Sequence, residues 1–217
     1  MILRRMQALL AGIYDLPQAH DVYDFLITDP ADLPPQRRAG DEQVLVATRG
    51  DDVAMALFLD AQLLRRLEAT DPTATLNAGN LADCLTALEG VSHFICLAWN
   101  ACHDKQVSLL ELELQAEVDK YIASFWLLRA QDPRRYPLEL HRLLFKRARV
   151  DATLAGEREG MYATANTYAA RFCRRLEAVL CESGRSGRAR AVQAMSELRR
   201  FYRLSNARKL SHIEHLA

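Results

Sequence analysis

Apolar residues follow two different spacings along the chain, and the change falls near residue 80. Before that point, apolar runs at residues 22–28, 43–48 and 53–59 have the length of strands and contain the β-branched and aromatic residues that strands favour. Arg49, Gly50 and two aspartates separate the last two runs, and a short polar connection with one glycine is typical of a β-hairpin. These runs predict a small antiparallel sheet of about three strands near the N-terminus.

The neighbouring segments predict a helix before this sheet and another after it. Residues 1–11 are mildly basic and apolar, which favours a short first helix. Asp60 is a residue type that caps helices, so residues 61–69 are predicted to be helical. In an alternative reading, residues 53–59 already form the start of that helix.

After residue 80, apolar residues recur at intervals of three and four, which is the helical period. This spacing covers residues 80–99, 107–130, 157–181 and 188–204, with a shorter stretch at 138–145. Proline-rich and glycine-rich breaks at residues 132–137 and 182–187 separate the later segments. The pattern predicts an α+β fold that is mostly α, with the sheet packed beside a bundle of four to five helices. We expect a mixed segment at residues 1–70 and the bundle at residues 79–217, within one continuous compact domain.

The charges divide the chain differently from the apolar pattern. Residues 1–128 carry 9 Lys/Arg against 19 Asp/Glu, and residues 129–217 carry 19 against 9, so a formal −10 and a formal +10 cancel. An asymmetry of this size indicates an anionic partner, either nucleic acid or an acidic protein surface. It is also compatible with pairing of the two halves within one chain or across a homodimer.

The basic half contains 17 arginines and 2 lysines, and a guanidinium group suits bidentate contacts with phosphate or carboxylate oxygens. Its arginines fall largely off the apolar stripes, so they are candidate anion-binding residues. The candidates are Arg171, Arg174, Arg175, Arg188, Arg190, Arg199, Arg200 and Arg203. The alternative is a solvated helical face. The chain has no zinc-finger spacing and no RNP aromatics, which are signatures of nucleic-acid readers.

Four acidic and histidine positions on the two central helices form a second candidate cluster. Glu89 and His93 lie one helical turn apart, Glu111 falls inside the apolar band of residues 107–130, and Glu117 is nearby. A carboxylate on an apolar face needs a partner or its pKa rises, so these residues predict either structural ion pairs or a buried acid–base or metal site. The single Glu89–His93 spacing and the absence of HExxH argue against a metal. We therefore predict neither a metal nor another cofactor.

Sequence motifs for the commonest catalytic machineries are missing. The chain has no GxSxG, SxxK, Walker A or GxGxxG pattern. Its five cysteines form no CxxC pair, which favours reduced thiols in the cytoplasm, and no run of about 18 apolar residues predicts a membrane span.

The leading hypothesis is a non-catalytic cytoplasmic binding or adaptor protein with an arginine-rich helical face. The alternative is an enzyme with a buried Glu/His site between the two central helices.

Overall fold

The computed structural model describes residues 1–34, 40–50, 52–134, 137–146, 157–181 and 186–215. Helices dominate and a three-stranded sheet lies near the N-terminus, so the predicted α+β, mostly α fold class is confirmed. The elements are α1 (Ile2–Tyr14), β1 (Leu26–Ile27), β2 (Glu42–Arg49), β3 (Asp52–Leu59), α2 (Ala61–Ala69), α3 (Leu81–Ala101), α4 (Leu109–Gln131), α5 (Glu139–His141, continued by a π-helical turn at Arg142–Lys146), α6 (Glu157–Cys181), α7 (Gly187–Arg203) and α8 (Asn206–Glu214).

Two compact units make up the chain. The first contains residues 1–11 and 16–106, and the second contains residues 12–15 and 107–217. The last turn of α1 therefore belongs to the second unit.

The sheet of the first unit has the strand order β1-β3-β2. The predicted hairpin is confirmed, because β2 and β3 pair antiparallel from Glu42 opposite Leu59 to Arg49 opposite Asp52. Gly50 has a φ of 62°, a left-handed conformation that favours glycine, while residue 51 of the predicted turn lies outside the described residues. The alternative in which residues 53–59 begin a helix is wrong.

The prediction of a wholly antiparallel sheet is wrong at β1. β1 is on the far side of β3 from β2, and it runs parallel to β3 with Leu26 opposite Leu57. It is also shorter than predicted, because residues 22–24 form a 3-10 turn that Asp21 caps by accepting a hydrogen bond from the Tyr23 N–H. A local side-chain cap thus competes with strand formation in this segment.

Helix α3 covers one face of the sheet. At Gly90 an added Cβ would lie 2.9 Å from Leu57 Cδ1 and 3.0 Å from Glu42 Cγ, so the missing side chain allows the helix to approach the strands this closely. Helix α2 follows β3 directly and has the predicted bounds. Asp60 caps it by accepting hydrogen bonds from the N–H groups of Gln62 and Leu63.

Helix α3 is also long and apolar enough to cross a membrane by length and composition alone. Core helices of soluble proteins pass the same test, and more than half of the apolar window is buried inside the protein. The absence of a membrane span therefore stays a prediction.

In the second unit, α4 packs along α6. The residues of this seam are almost completely buried, among them Leu114, Val118, Tyr121, Phe172 and Leu176. Helix α6 has the bounds that the apolar spacing predicts.

The described residues contain eight helices, and seven of them correspond to predicted segments: α1 and α2 beside the sheet, and α3 to α7 after residue 80. Helix α8 is missing from the prediction altogether. Leu204 is extended and ends α7, and Ser205 precedes the new helix. The apolar signal of α8 is weak because its two buried residues are Lys209 and Ile213.

Candidate functional site

Helix α8 places a lysine in the interior of the second unit. Lys209 is 1% exposed, and its Nζ lies 3.0 Å from Glu111 Oε1 and 3.2 Å from Gln115 Oε1. The ammonium group also lies 5.5 Å from the ring centroid of Phe201 and 5.7 Å from that of Tyr202. The ion-pair partner of Glu111, one of the four predicted cluster residues, is therefore a lysine from the last helix.

A second buried polar group continues this cluster at the end of α1. The Tyr14 hydroxyl donates a hydrogen bond to Asp119, and the Gln115 amide donates to Asp119 Oδ1 at 2.8 Å and to the Tyr14 oxygen at 3.1 Å. Burial, together with the Asp119 carboxylate, raises the pKa of Tyr14 well above its usual value. Tyr14 also stacks on Tyr202 with 4.4 Å between ring centroids. This network joins α1, α4, α7 and α8 inside the second unit, and a satisfied buried network of this kind specifies packing.

Two of the predicted anion-binding arginines bind the end of α1. Arg199 Nε donates to the Ile13 carbonyl at 3.1 Å, and Arg203 donates to the carbonyls of Tyr14 at 3.1 Å and Asp15 at 3.2 Å. The last carbonyls of a helix have no partner within it, and the negative end of the helix dipole favours a cation. Arg199 and Arg203 therefore use much of their donor capacity within the protein.

Two further candidates also interact within the second unit. Arg174 lies 3.6 Å from Glu177 and 3.3 Å from His141 Nδ1, although 59% of its side chain stays exposed. His141 Nε2 lies 2.7 Å from the Ala170 carbonyl and donates to it, so Nδ1 is left to accept from Arg174. Arg190 is half-buried and likewise has interactions within the protein.

The remaining candidates, with one addition from α8, form what we name the exposed arginine set. Its members are Arg171, Arg175, Arg188, Arg200 and Arg208, and all of them are exposed. Arg171 lies over the Tyr168 ring at 5.9 Å. Within the part of the chain that the structure describes, no member has a carboxylate partner.

The carboxylates of the second unit have other partners. Glu111 binds Lys209, and Glu117 binds Lys120 at 2.6 Å. Glu197 binds His212 at 2.6 Å, and Glu214 accepts a hydrogen bond from the Tyr168 hydroxyl at 2.7 Å. In the first unit, by contrast, Arg4, Arg5 and Arg66 bind Asp21, Asp71 and Asp83.

Helix α7 carries a partly exposed apolar strip beside its arginines. Ala191, Val192 and Met195 line a shallow groove together with Ser196, Arg188 and Arg199. Val192 is 63% exposed, which is unusual for a branched apolar side chain on a helix. We name Ala191, Val192 and Met195 the α7 strip. The strip was not among the predicted sites, although residues 188, 192, 195 and 199 share one helical face by spacing alone.

The other predicted cluster residues lie in the first unit. His93 is buried on α3, its Nδ1 lies 3.3 Å from Glu42 Oε1, and a carboxylate oxygen of Glu89 lies within 4.8 Å of its ring. Glu42 was not among the predicted residues, because nothing in the sequence links a strand glutamate to a helix histidine 51 positions away. The enzymatic alternative built on this cluster stays a prediction.

No protein-family model, no curated protein and no solved structure matches this chain.

Proposed function

We propose that this chain is a non-catalytic cytoplasmic binding protein that docks an acidic surface of a partner protein on the exposed arginine set. The observation that carries the proposal is the distribution of carboxylates. Among the described carboxylates of the second unit, those of Glu111, Glu117, Glu197 and Glu214 bind lysine, histidine or tyrosine. Glu177 and Asp15 lie near Arg174 and Arg199. None of these six carboxylates pairs with the exposed arginine set, whose charge is therefore available to a ligand. Guanidinium groups bind carboxylates in a bidentate geometry, and a field of one sign speeds the encounter with an oppositely charged partner.

The α7 strip favours an acidic protein over nucleic acid. A phosphate backbone gains little from contact with Val192, whereas an apolar residue of a protein partner gains from burying it. Interfaces commonly combine such an apolar centre with a charged rim, and here Arg188 lines the same groove as the strip. The expected partner surface is therefore apolar residues flanked by aspartate or glutamate.

Fluorescence anisotropy with two labelled probes tests the proposal. The first probe is an amphipathic helical peptide with glutamates flanking a leucine stripe, and the second is a DNA duplex of similar length and charge. We expect the peptide to bind and its affinity to fall as the salt concentration rises, since screened charges contribute less. Arg188→Gln should weaken peptide binding about two- to fivefold at low salt, which is the usual range for one exposed ionic contact.

Two variants make the result specific. Arg65→Gln changes the net charge equally on an exposed arginine of α2 in the first unit, and it should leave the affinity unchanged. Val192→Ser should weaken peptide binding without altering its salt dependence. Absence of binding to both probes at low ionic strength would refute an anion-binding role. Tighter binding of the duplex, unaffected by Val192→Ser, would replace the acidic protein by nucleic acid.

A further inference from the structure

The distal half of the β2–β3 hairpin is exposed and apolar on both of its faces. Val46 is 47% exposed and Val53 is 52% exposed, and Ala47 and Ala54 beside them are exposed as well. No charged residue occurs in β2 between Glu42 and Arg49. Strands at the edge of a sheet usually carry a charge, a proline or a bulge that prevents pairing with another chain. The edge formed by β2 has no such protection along its middle.

The backbone groups that face outward from β2 follow from one hydrogen bond. The Asp60 N–H donates to the Asp41 carbonyl at 2.9 Å, so Asp41 is bonded toward β3. Bonding alternates along an antiparallel pair, so residues 43, 45, 47 and 49 also bond toward β3. The outward residues of β2 are therefore Glu42, Val44, Val46 and Thr48. Among the described residues, no strand pairs with this edge.

The opposite edge of the hairpin offers much less free backbone. The same alternation leaves residues 53, 55, 57 and 59 of β3 facing away from β2, and the Leu57 N–H does donate to the Phe25 carbonyl at 2.8 Å. Strand β1 thereby occupies this edge at Leu57 and Phe58, so Val53 and Met55 are the free outward residues. The longer free edge is that of β2.

We propose that β2 pairs antiparallel with β2 of a second copy of this chain, which joins the two sheets into one. A two-fold axis requires that one residue face its own counterpart, and the register with Leu45 at the axis pairs all of residues 42–48. In that register Val44 is opposite Val46 of the second copy and Glu42 is opposite Thr48. The inference is independent of the proposed anion binding, because it concerns a different unit and no arginine of that set.

Charge complementarity favours this occupant and this register. Asp41, whose side chain is 60% exposed, comes to lie opposite the exposed Arg49 of the second copy, and no like charges face each other along the seam. The apolar middle, from Val44 to Val46, meets the same three residues of the second copy, and Ala47 is opposite Gln43. Cross-strand pairs of opposite charge and of β-branched residues both stabilise a sheet. A shift that puts Val46 on the axis would instead place Gln43 opposite Arg49.

Sedimentation velocity on the full chain over a wide range of concentration tests the proposal with two matched variants. Val46→Pro and Val53→Pro each replace an exposed valine whose N–H faces outward, so neither removes a hydrogen bond within the hairpin. Only Val46 lies on the proposed seam. We expect a dimer of the wild-type chain, a dimer of Val53→Pro, and a dissociation constant at least about 100-fold higher for Val46→Pro, because both copies lose a seam hydrogen bond.

Three outcomes would overturn the inference: a monomeric wild type, a dimer that survives Val46→Pro, or a dimer that Val53→Pro dissolves equally. Circular dichroism checks that both variants are folded. Oxidative cross-linking keeps the test decisive where a proline variant does not fold. Leu45→Cys, in a background in which the exposed Cys102 and Cys181 are replaced by serine, should form an intermolecular disulfide at the two-fold axis. Failure of Leu45→Cys to cross-link refutes the register and the axis.

Discussion

Lys209 is the residue whose replacement best tests how the second unit is held together. Its Nζ is within 3.2 Å of two oxygens, one from Glu111 and one from Gln115, and the side chain is buried. Lys209→Met keeps the aliphatic stem in contact with the aromatic rings but leaves the Glu111 carboxylate buried without its cation. Breaking a buried ion pair from one side costs about 3–5 kcal/mol, so the free energy of unfolding of the second unit should fall by about that amount.

The double variant Glu111→Leu/Lys209→Met separates the charge from the packing. Replacement of a whole buried pair by apolar residues is often neutral or stabilising, but here Gln115 Oε1 also loses its donor, which costs about 1–3 kcal/mol. We therefore expect the double variant to lie within about 2 kcal/mol of the wild type and above the single Lys209→Met. Lys120→Met is the matched control, because the Lys120–Glu117 pair is more exposed than the Lys209–Glu111 pair, so its loss should cost less than that of Lys209→Met.

Urea unfolding followed by tryptophan fluorescence gives these free energies. In a Trp99→Phe background, Trp126 on α4 is the remaining tryptophan of the chain, so the signal reports the second unit. The slope of the free energy with urea concentration must stay constant for the comparison to hold. A loss below about 1 kcal/mol for Lys209→Met, or a double variant no more stable than the single one, would refute the assignment of Lys209 as the counter-charge of Glu111.

Two further predictions concern packing and pH. Gly90→Ala should lower the free energy of unfolding by about 1–3 kcal/mol, because its Cβ would lie 2.9 Å from Leu57 Cδ1. In the control Gly12→Ala the added Cβ meets no atom within 4 Å, so this change should be neutral or stabilising by about 0.5–1 kcal/mol. Thermal unfolding measures both variants. The raised pKa of Tyr14 means that the unfolded chain ionises this group near pH 10 while the folded chain keeps it protonated, so the stabilisation is complete below about pH 10 and is lost as the pH rises toward the folded-state value. Between about pH 10 and about pH 11, Tyr14→Phe should therefore lose less stability than the wild type, by up to roughly 1.4 kcal/mol. Urea unfolding at several pH values measures this difference. An equal fall of the unfolding free energy with pH in both proteins would contradict this origin of the pKa shift.

Local signals in the sequence were sufficient for most of the elements. The hairpin, the Asp60 cap and the bounds of α2 and α6 follow from apolar spacing and from residues that act on their immediate neighbours. The partner of β1 could not be predicted in this way. β1 pairs in parallel with the edge of β3 that β2 leaves free, and local sequence does not indicate which edge that is. A strand of only two residues also carries no hydrophobic pattern that would set its register.

The candidate site was predictable only in part, because most of its contacts join distant positions. Glu111 was expected to need a partner, but Lys209 lies 98 positions later in the sequence on a helix with little apolar signal. Helical spacing places the candidate arginines away from the apolar stripes, and it says nothing about whether a guanidinium then reaches a helix end, as Arg203 does. The strip on α7 was missed because the helical period places Ala191 and Met195 among the buried positions of residues 188–204, whereas both are only half-buried.

The formal +10 of the basic half is a weaker guide to binding than the identity of the groups that its cations already bind. Arg199 and Arg203 bind carbonyls at the end of α1, Lys209 binds a buried carboxylate, and Arg174 shares Glu177 and His141. Each of these cations has a role inside the second unit, so its hydrogen-bond donors are less available to an external partner. What remains for an external partner is the smaller exposed arginine set, from which Arg188 lies beside the exposed Val192. A partner selected by charge alone would depend on all of the arginines equally, whereas one selected by this surface should depend on Arg188 and Val192 and be indifferent to Arg174.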